Sequence, residues 1–267
     1  MKNVLVLIHD DDGQEARLQA ALDVARAFGG HLTCLDVAML PAMVGDYAVL
    51  GAEMLMLADE RDRERANRAR TEARLAADDV PFTWVTATGD VARKLKDASR
   101  LADLIVLNRE LISFSAPDMR RIVGETLISA KKPVLAVPAD ARGVDLDGNA
   151  MVAWDGSAEA EAALIASVPL LQRARSVVIL WVDDGSVAVP ATEAATYLSR
   201  YGIKPLVRRV DPGMARASAA IMGEVRLHHP AYLVMGGFSH PRFLEQVFGS
   251  VTTRLLKDSP VPLFLAH

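Results

Sequence analysis

The chain has 267 residues, 51% hydrophobic and 24% charged, with a formal net charge of −4 and a pI near 5.9. A chain this apolar buries enough surface to offset the entropy of ordering, so disorder is excluded, and its length suits one large domain or two of ordinary size. The acidic balance offers no basic field to nucleic acid or anionic lipid, and the single Cys34 allows no internal disulfide. No window approaches 18 uninterrupted apolar residues, and Met1 leads at once into a short apolar run rather than a signal core. The expectation is a soluble, cytoplasmic protein with no nucleic-acid or membrane partner.

In chain order, residues 4–8 form an apolar run that predicts a strand, followed by the acidic turn His9-Asp10-Asp11-Asp12-Gly13. Leu18, Ala21, Leu22, Val24, Ala25 and Phe28 recur at helical spacing and are closed by Gly29-Gly30. Residues 32–37 read as a second strand. Segment 38–80 has the least regular pattern, and the mixed charge of 61–74 reads as a solvated helix face. Apolar runs at 81–85, 102–107 and 132–137 supply three more strands.

The same grammar then repeats. An apolar run at 150–154 meets the turn Asp155-Gly156-Ser157, a helical stretch at 160–171 and a strand at 177–182. Runs at 205–207, 230–235 and 261–266 match the remaining strands of the first half. Continuous apolar strands alternating with helices indicate parallel sheets covered on both faces. The fold expected is α/β: two tandem five-stranded, doubly wound, Rossmann-like domains, at 1–140 and 149–267, joined by a polar stretch at 139–148.

In such sheets ligands bind beyond the carboxyl ends of the strands. There the second half carries Asp155-Gly156-Ser157, then Met235-Gly236-Gly237-Phe238-Ser239-His240, then Gly249-Ser250-Val251-Thr252 opening the last helix. Glycines admit an anion to backbone N–H groups, and a helix N-terminus offers unpaired donors, so the pattern suits phosphate. An alternative stays open on these residues: the glycines make tight turns and Ser250 caps a helix. Elsewhere, Asp10-Asp11-Asp12 and His228-His229 read as solvated turns rather than metal ligands. Met39, Met43, Met54 and Met56 read as packing, and Cys34 as a buried, inert thiol. No Walker lysine and no Gly-x-Ser-x-Gly elbow is present.

The segment Val152-Ala153-Trp154-Asp155-Gly156-Ser157 and the ending at 235–267 resemble the universal stress protein family, strongly over 150–267 and weakly over 1–140. The family's nucleotide signature is Gly, two residues, Gly, nine residues, then Gly and Ser or Thr. Here Ser239 takes the place of the second Gly, between Gly236 and Gly249-Ser250. The resemblance implies a stress-response protein that binds ATP or another adenine nucleotide, with or without Mg²⁺. The implied site comprises Ala153, Trp154, Asp155, Val182, Met235, Gly236, Ser239, His240, Gly249, Ser250, Val251 and Thr252. Asp155 and Val182 would meet the base or ribose. Gly236, Ser239 and His240 would line the phosphate path, and residues 249–252 would hold the terminal phosphates.

In the first half His9 falls at the family's Asp, Asn108 and Leu111 replace the glycines, and Gly124-Glu125 replaces Gly-Ser; that half is expected to be a degenerate scaffold without ATP. The resemblance further implies an intramolecular pseudo-dimer, with 134–137 antiparallel to 263–265, and leaves a homodimer open. Two other readings remain: a nucleotide-free interaction protein and, with no general base evident near Ser250, a slow ATPase.

Overall fold

The structure, a computed structural model, describes residues 1–38, 50–111, 118–183, 185, 189–238 and 251–267, apart from the side chains of 50–61. The first half runs β1 (Asn3–Ile8), α1 (Gln14–Phe28), β2 (His31–Ala38), α2 (Leu50–Ala76), β3 (Phe82–Thr88), α3 (Val91–Ala98), β4 (Leu104–Asn108), α4 (Met119–Ala130) and β5 (Val134–Val137). The second runs β6 (Asn149–Trp154), α5 (Ala158–Leu171), β7 (Ser176–Val182), α6 (Ala191–Ser199), β8 (Leu206–Val210), α7 (Ala217–His228), β9 (Tyr232–Gly236), α8 (Val251–Asp258) and β10 (Leu263–Ala266).

All the strands join one sheet in the order β3-β2-β1-β4-β5-β10-β9-β6-β7-β8. Within each half the neighbours are parallel, and order reverses between β1 and β4 and again between β6 and β9. The halves meet where β5 and β10 pair antiparallel, Leu263 opposite Ala136, Phe264 opposite Leu135 and Leu265 opposite Val134. Apolar strands of this kind need partners on both sides, and the chain supplies them internally. The outer strands β3 and β8 are the least buried, and β8 carries Arg208 and Arg209, charges that suit an edge.

Alternation along each strand sends side chains to two cores. Val4, Val6 and Ile8 face the layer under α1, α2, α5 and α6, while Leu5 and Leu7 face the layer under α3, α4, α7 and α8. Both layers run through both halves. The stretch at 139–148, expected to be a polar connector, also packs. Val144 and Leu146 are buried, and the Val144 N–H donates to Asp23 Oδ2 at 2.9 Å.

The two halves bury the same positions. Arg17, Leu18, Ala21, Leu22, Val24 and Ala25 of α1 match Ala163, Leu164, Ser167, Val168, Leu170 and Leu171 of α5. Thr71, Leu75 and Val80 match Ala194, Leu198 and Ile203 in the same way. This register makes each half a reference for the other.

One expectation is corrected here. Segment 61–74 is not simply a solvated face, because Glu64, Asn67 and Thr71 are buried on the inner side of α2. Asn67 and Gln14 exchange two side-chain hydrogen bonds at 2.7 and 2.8 Å, and Arg74 donates to Gln19 at 2.8 Å. The helix docks through polar groups that find partners in α1, which an apolar periodicity cannot reveal.

Candidate functional site

The carboxyl ends of β6 and β9 flank the reversal of strand order in the second half, where the turn Asp155-Gly156-Ser157 leads into α5. Asp155 Oδ1 accepts from the Ser157 N–H at 2.9 Å and from its hydroxyl at 2.6 Å, and Ser157 Oγ accepts from the Ala160 N–H at 3.2 Å. The turn is thereby a self-closed helix cap, and the second oxygen of this exposed carboxylate has no hydrogen-bond partner among the described residues. Gly156 adopts φ +73°, and a Cβ there would strike the Val189 backbone.

Gly236 lies under the first turn of α5, where a Cβ would stand 2.6 Å from the Ala160 nitrogen and 2.7 Å from the Glu159 carbonyl carbon. Packing alone therefore demands this glycine. Gly236→Ala is expected to cost about 1–3 kcal/mol in nucleotide-free protein, read as a lower urea midpoint; an unchanged midpoint would contradict the close approach.

The other candidate residues fall in several places. The Trp154 side chain packs in the core beneath α5 and α6 and donates to Val189 O at 2.8 Å, so it serves packing. Val182 and Met235 are buried in the opposite core layer, and Ala153 and Val251 pack against it. Thr252 is buried and accepts from the Phe238 N–H at 3.4 Å, with Phe238 at φ +56°. Ser239, His240, Gly249 and Ser250 lie outside the described residues.

The corresponding place in the first half is filled. A Cβ at Gly13 would stand 2.6 Å from both Asn108 Nδ2 and Leu111 Cδ2. Behind them lies Arg17, fully buried, donating to Leu7 O at 2.6 Å, His9 O at 2.7 Å, Asp11 Oδ1 at 2.7 Å and Asn108 Oδ1 at 2.6 Å. Asp11 is thus a buried counter-charge, not part of a solvated turn as expected; Asp10 and Asp12 are exposed. Equivalence places Ala163 at Arg17 and Gly236 at Asn108, so the second half carries neither of these two polar side chains; Ser239, the counterpart of Leu111, lies outside the described residues. Sequence reasoning missed Arg17. Its signal was a lone cation at helical spacing with Ala21 and Val24.

Beside this network, His9 Nδ1 stands 2.8 Å from Glu64 Oε1, with Asp36 and Trp84 close by. Burial alone lowers the basicity of the His9 imidazole, but the hydrogen bond and charge of Glu64, with Asp11 adding to them, raise it above its ordinary value. Burial, reinforced by the Glu64 charge, pushes the Asp36 carboxyl up to about 6. Cys34 is buried and its thiol is pushed up to about 12 by burial, in line with an inert thiol.

A cross-half contact joins the two places. Arg109, just after β4, donates from one nitrogen to Leu256 O at 3.0 Å and to Lys257 O, so it caps the end of α8, the helix that begins at Val251. Among the described residues, no group of three or more His, Cys, Asp or Glu could hold a metal ion. None of their helices is long and apolar enough to cross a membrane.

No protein of curated function matches the chain. A solved universal stress protein from Archaeoglobus fulgidus is 16% identical, with a TM-score of 0.76 over 99% of this chain and 96% of that one. A functionally unknown protein from Pseudomonas aeruginosa is 13% identical, with a TM-score of 0.57 over 100% and 92%. At such identities the likeness concerns the fold, which these structures share across both halves. The universal stress protein family model matches residues 1–138, and by that match the chain belongs to the universal stress protein family.

Proposed function

We propose that the protein is a stress-response sensor that binds an adenine nucleotide in its second half, with 1–140 as a scaffold unit and 149–267 as the binding unit. The observation that supports this reading is the contrast between equivalent places. Arg17, Asn108 and Leu111 fill the first, whereas Ala163 and Gly236 leave backbone and the free Asp155 oxygen at the second. Asp155 would hold the ribose or base, and Gly236 with the start of α8 would receive phosphate. Bound nucleotide, with or without Mg²⁺, would supply the signal rather than a reaction.

The test is a titration of ATP, ADP and AMP with Mg²⁺ against melting temperature. A saturable rise, lost in Gly249→Asp, is the expected result, and at a hundred times Kd it amounts to about 2.7 kcal/mol. One observation favours a second reading, a nucleotide-free interaction protein: Gly156, Gly236 and Thr252 each already have a packing role. No shift up to millimolar nucleotide would establish that reading instead.

A further inference from the structure

We propose that the groove between α5 and α6 receives an arginine side chain from a partner protein. The groove is about 210 Å³, and its walls include Trp154, Glu161, Leu164, Ile165, Glu193 and Tyr197. One end of it is closed by Trp154, the last residue of β6, and by Val189, which lies against Gly156; Asp155 and Gly236 are not among its walls, so the inference does not rest on nucleotide binding.

The first half shows what completes such a groove. There α2 sends two arginines across to α1 and the turn before it: Arg74 donates to Glu15 at 3.3 Å and Gln19 at 2.8 Å, and Arg70 to Asp10 at 3.1 Å. By the shared burial register, Glu161 and Ile165 stand for Glu15 and Gln19, while Glu193 and Tyr197 stand for Arg70 and Arg74. The second half keeps the Glu15 carboxylate as Glu161, has Gly156 in place of Asp10, gains Glu193 and has lost both cations. Neither Glu161 nor Glu193 has an ion-pair partner among the described residues.

The remaining chemistry selects a guanidinium. Tyr197 packs on Tyr201 with ring centroids 5.2 Å apart, and the Trp154 indole forms an aromatic floor. Aromatic faces beside carboxylates attract a planar cation by stacking, cation–π attraction and paired hydrogen bonds, which an ammonium meets less well. Ile165 is 55% exposed and Tyr201 44%, an apolar rim for the arginine's neighbours to cover. A buried arginine anchor with an apolar surround is the usual composition of an interface hot spot.

The probe is acetyl-Ala-Arg-Ala-amide, titrated against the full chain while the Trp154 indole N–H is followed by NMR, with the citrulline peptide as the uncharged control. A saturable shift with the arginine peptide alone is expected, and Glu161→Gln with Glu193→Gln should weaken it about tenfold. Both residues are exposed, so the double variant is expected to melt as the parent does. No shift at millimolar peptide, an equal shift with citrulline, or unchanged affinity in the double variant would overturn the proposal. The response to ATP is measured on the same samples, and its presence or absence bears only on the nucleotide reading.

Discussion

Arg17→Met is expected to destabilise the protein by about 3–5 kcal/mol, a fall in melting temperature on the order of 10 °C. Methionine replaces most of the volume, so the loss is one of charge and hydrogen bonding. Asp11 is left in place with its side chain 5% exposed and without its ion-pair partner, and the Leu7 and His9 carbonyls and the Asn108 amide oxygen each lose a donor. Adding Asp11→Asn removes the orphaned charge and should recover about 1–2 kcal/mol. Arg26, whose side chain is 41% exposed despite its three acidic neighbours, is the control, and Arg26→Met should cost less than about 1 kcal/mol. Denaturant unfolding of the parent and the three variants checks the ordering. Equal losses at Arg17 and Arg26 would mean that the buried network does not hold the first half together.

A second large effect is expected on raising pH. The folded-state Asp36 carboxyl, at about 6, stands above the ordinary 3.8, so the fold favours its neutral form. That contribution is complete below about pH 3.8 and is lost as pH rises through about 6. His9 is raised above 6.5, so the fold favours its protonated form; that contribution is complete below 6.5 and is lost as pH rises through the folded value. Both groups therefore weaken the attachment of α2 on alkalinisation, the reverse of ordinary acid denaturation.

The groups that face the pair are Glu64 and Arg68 of α2, Asp11 and Arg17 at the start of α1, and Trp84 of β3. Above the His9 transition two carboxylates, Asp36 and Glu64, share the site without the imidazolium. The Asp36 part is on the order of 2 kcal/mol after allowance for solvent screening. Amide exchange along 62–76 should quicken as pH rises from about 4 through 6 and on past the His9 transition, relative to α5 and after correction for the intrinsic rate, and Asp36→Asn with His9→Gln should flatten the change. An equal pH slope in the double variant would remove the explanation.

The architecture was legible because its signal is local. Apolar runs the length of buried strands, spaced by helical patterns, repeat through both halves, and the last strand of each is too apolar to stand at an edge. The polar interior was not legible for the opposite reason. Arg17 meets Asn108 from 91 residues away, Asn67 bonds Gln14 from 53 residues away, and Glu64 pairs with His9 across α1 and β2. A charged residue gives no sign in sequence of whether water or a distant partner will satisfy it.

The candidate site was half legible. Asp155, Gly156 and Gly236 do converge at the strand ends, yet their caps and close approaches explain them without a ligand. The contrast that favours a ligand, Ala163 and Gly236 against Arg17 and Asn108, emerges only when the halves are compared in three dimensions. The Trp154 ring turns into the core under α5 and α6, a placement that its position beside Asp155 in the sequence does not decide.

Whether the second half alone takes nucleotide, as proposed, is decided by calorimetric titration of ATP with Mg²⁺ into the full chain. Saturable heat with one nucleotide per chain, abolished by Gly249→Asp, is the expected result. The partner experiment is Leu111→Gly with Asn108→Gly, which leaves Arg17 in the first site and should add no second equivalent. Two nucleotides bound per native chain, or binding that survives Gly249→Asp, would contradict the proposal.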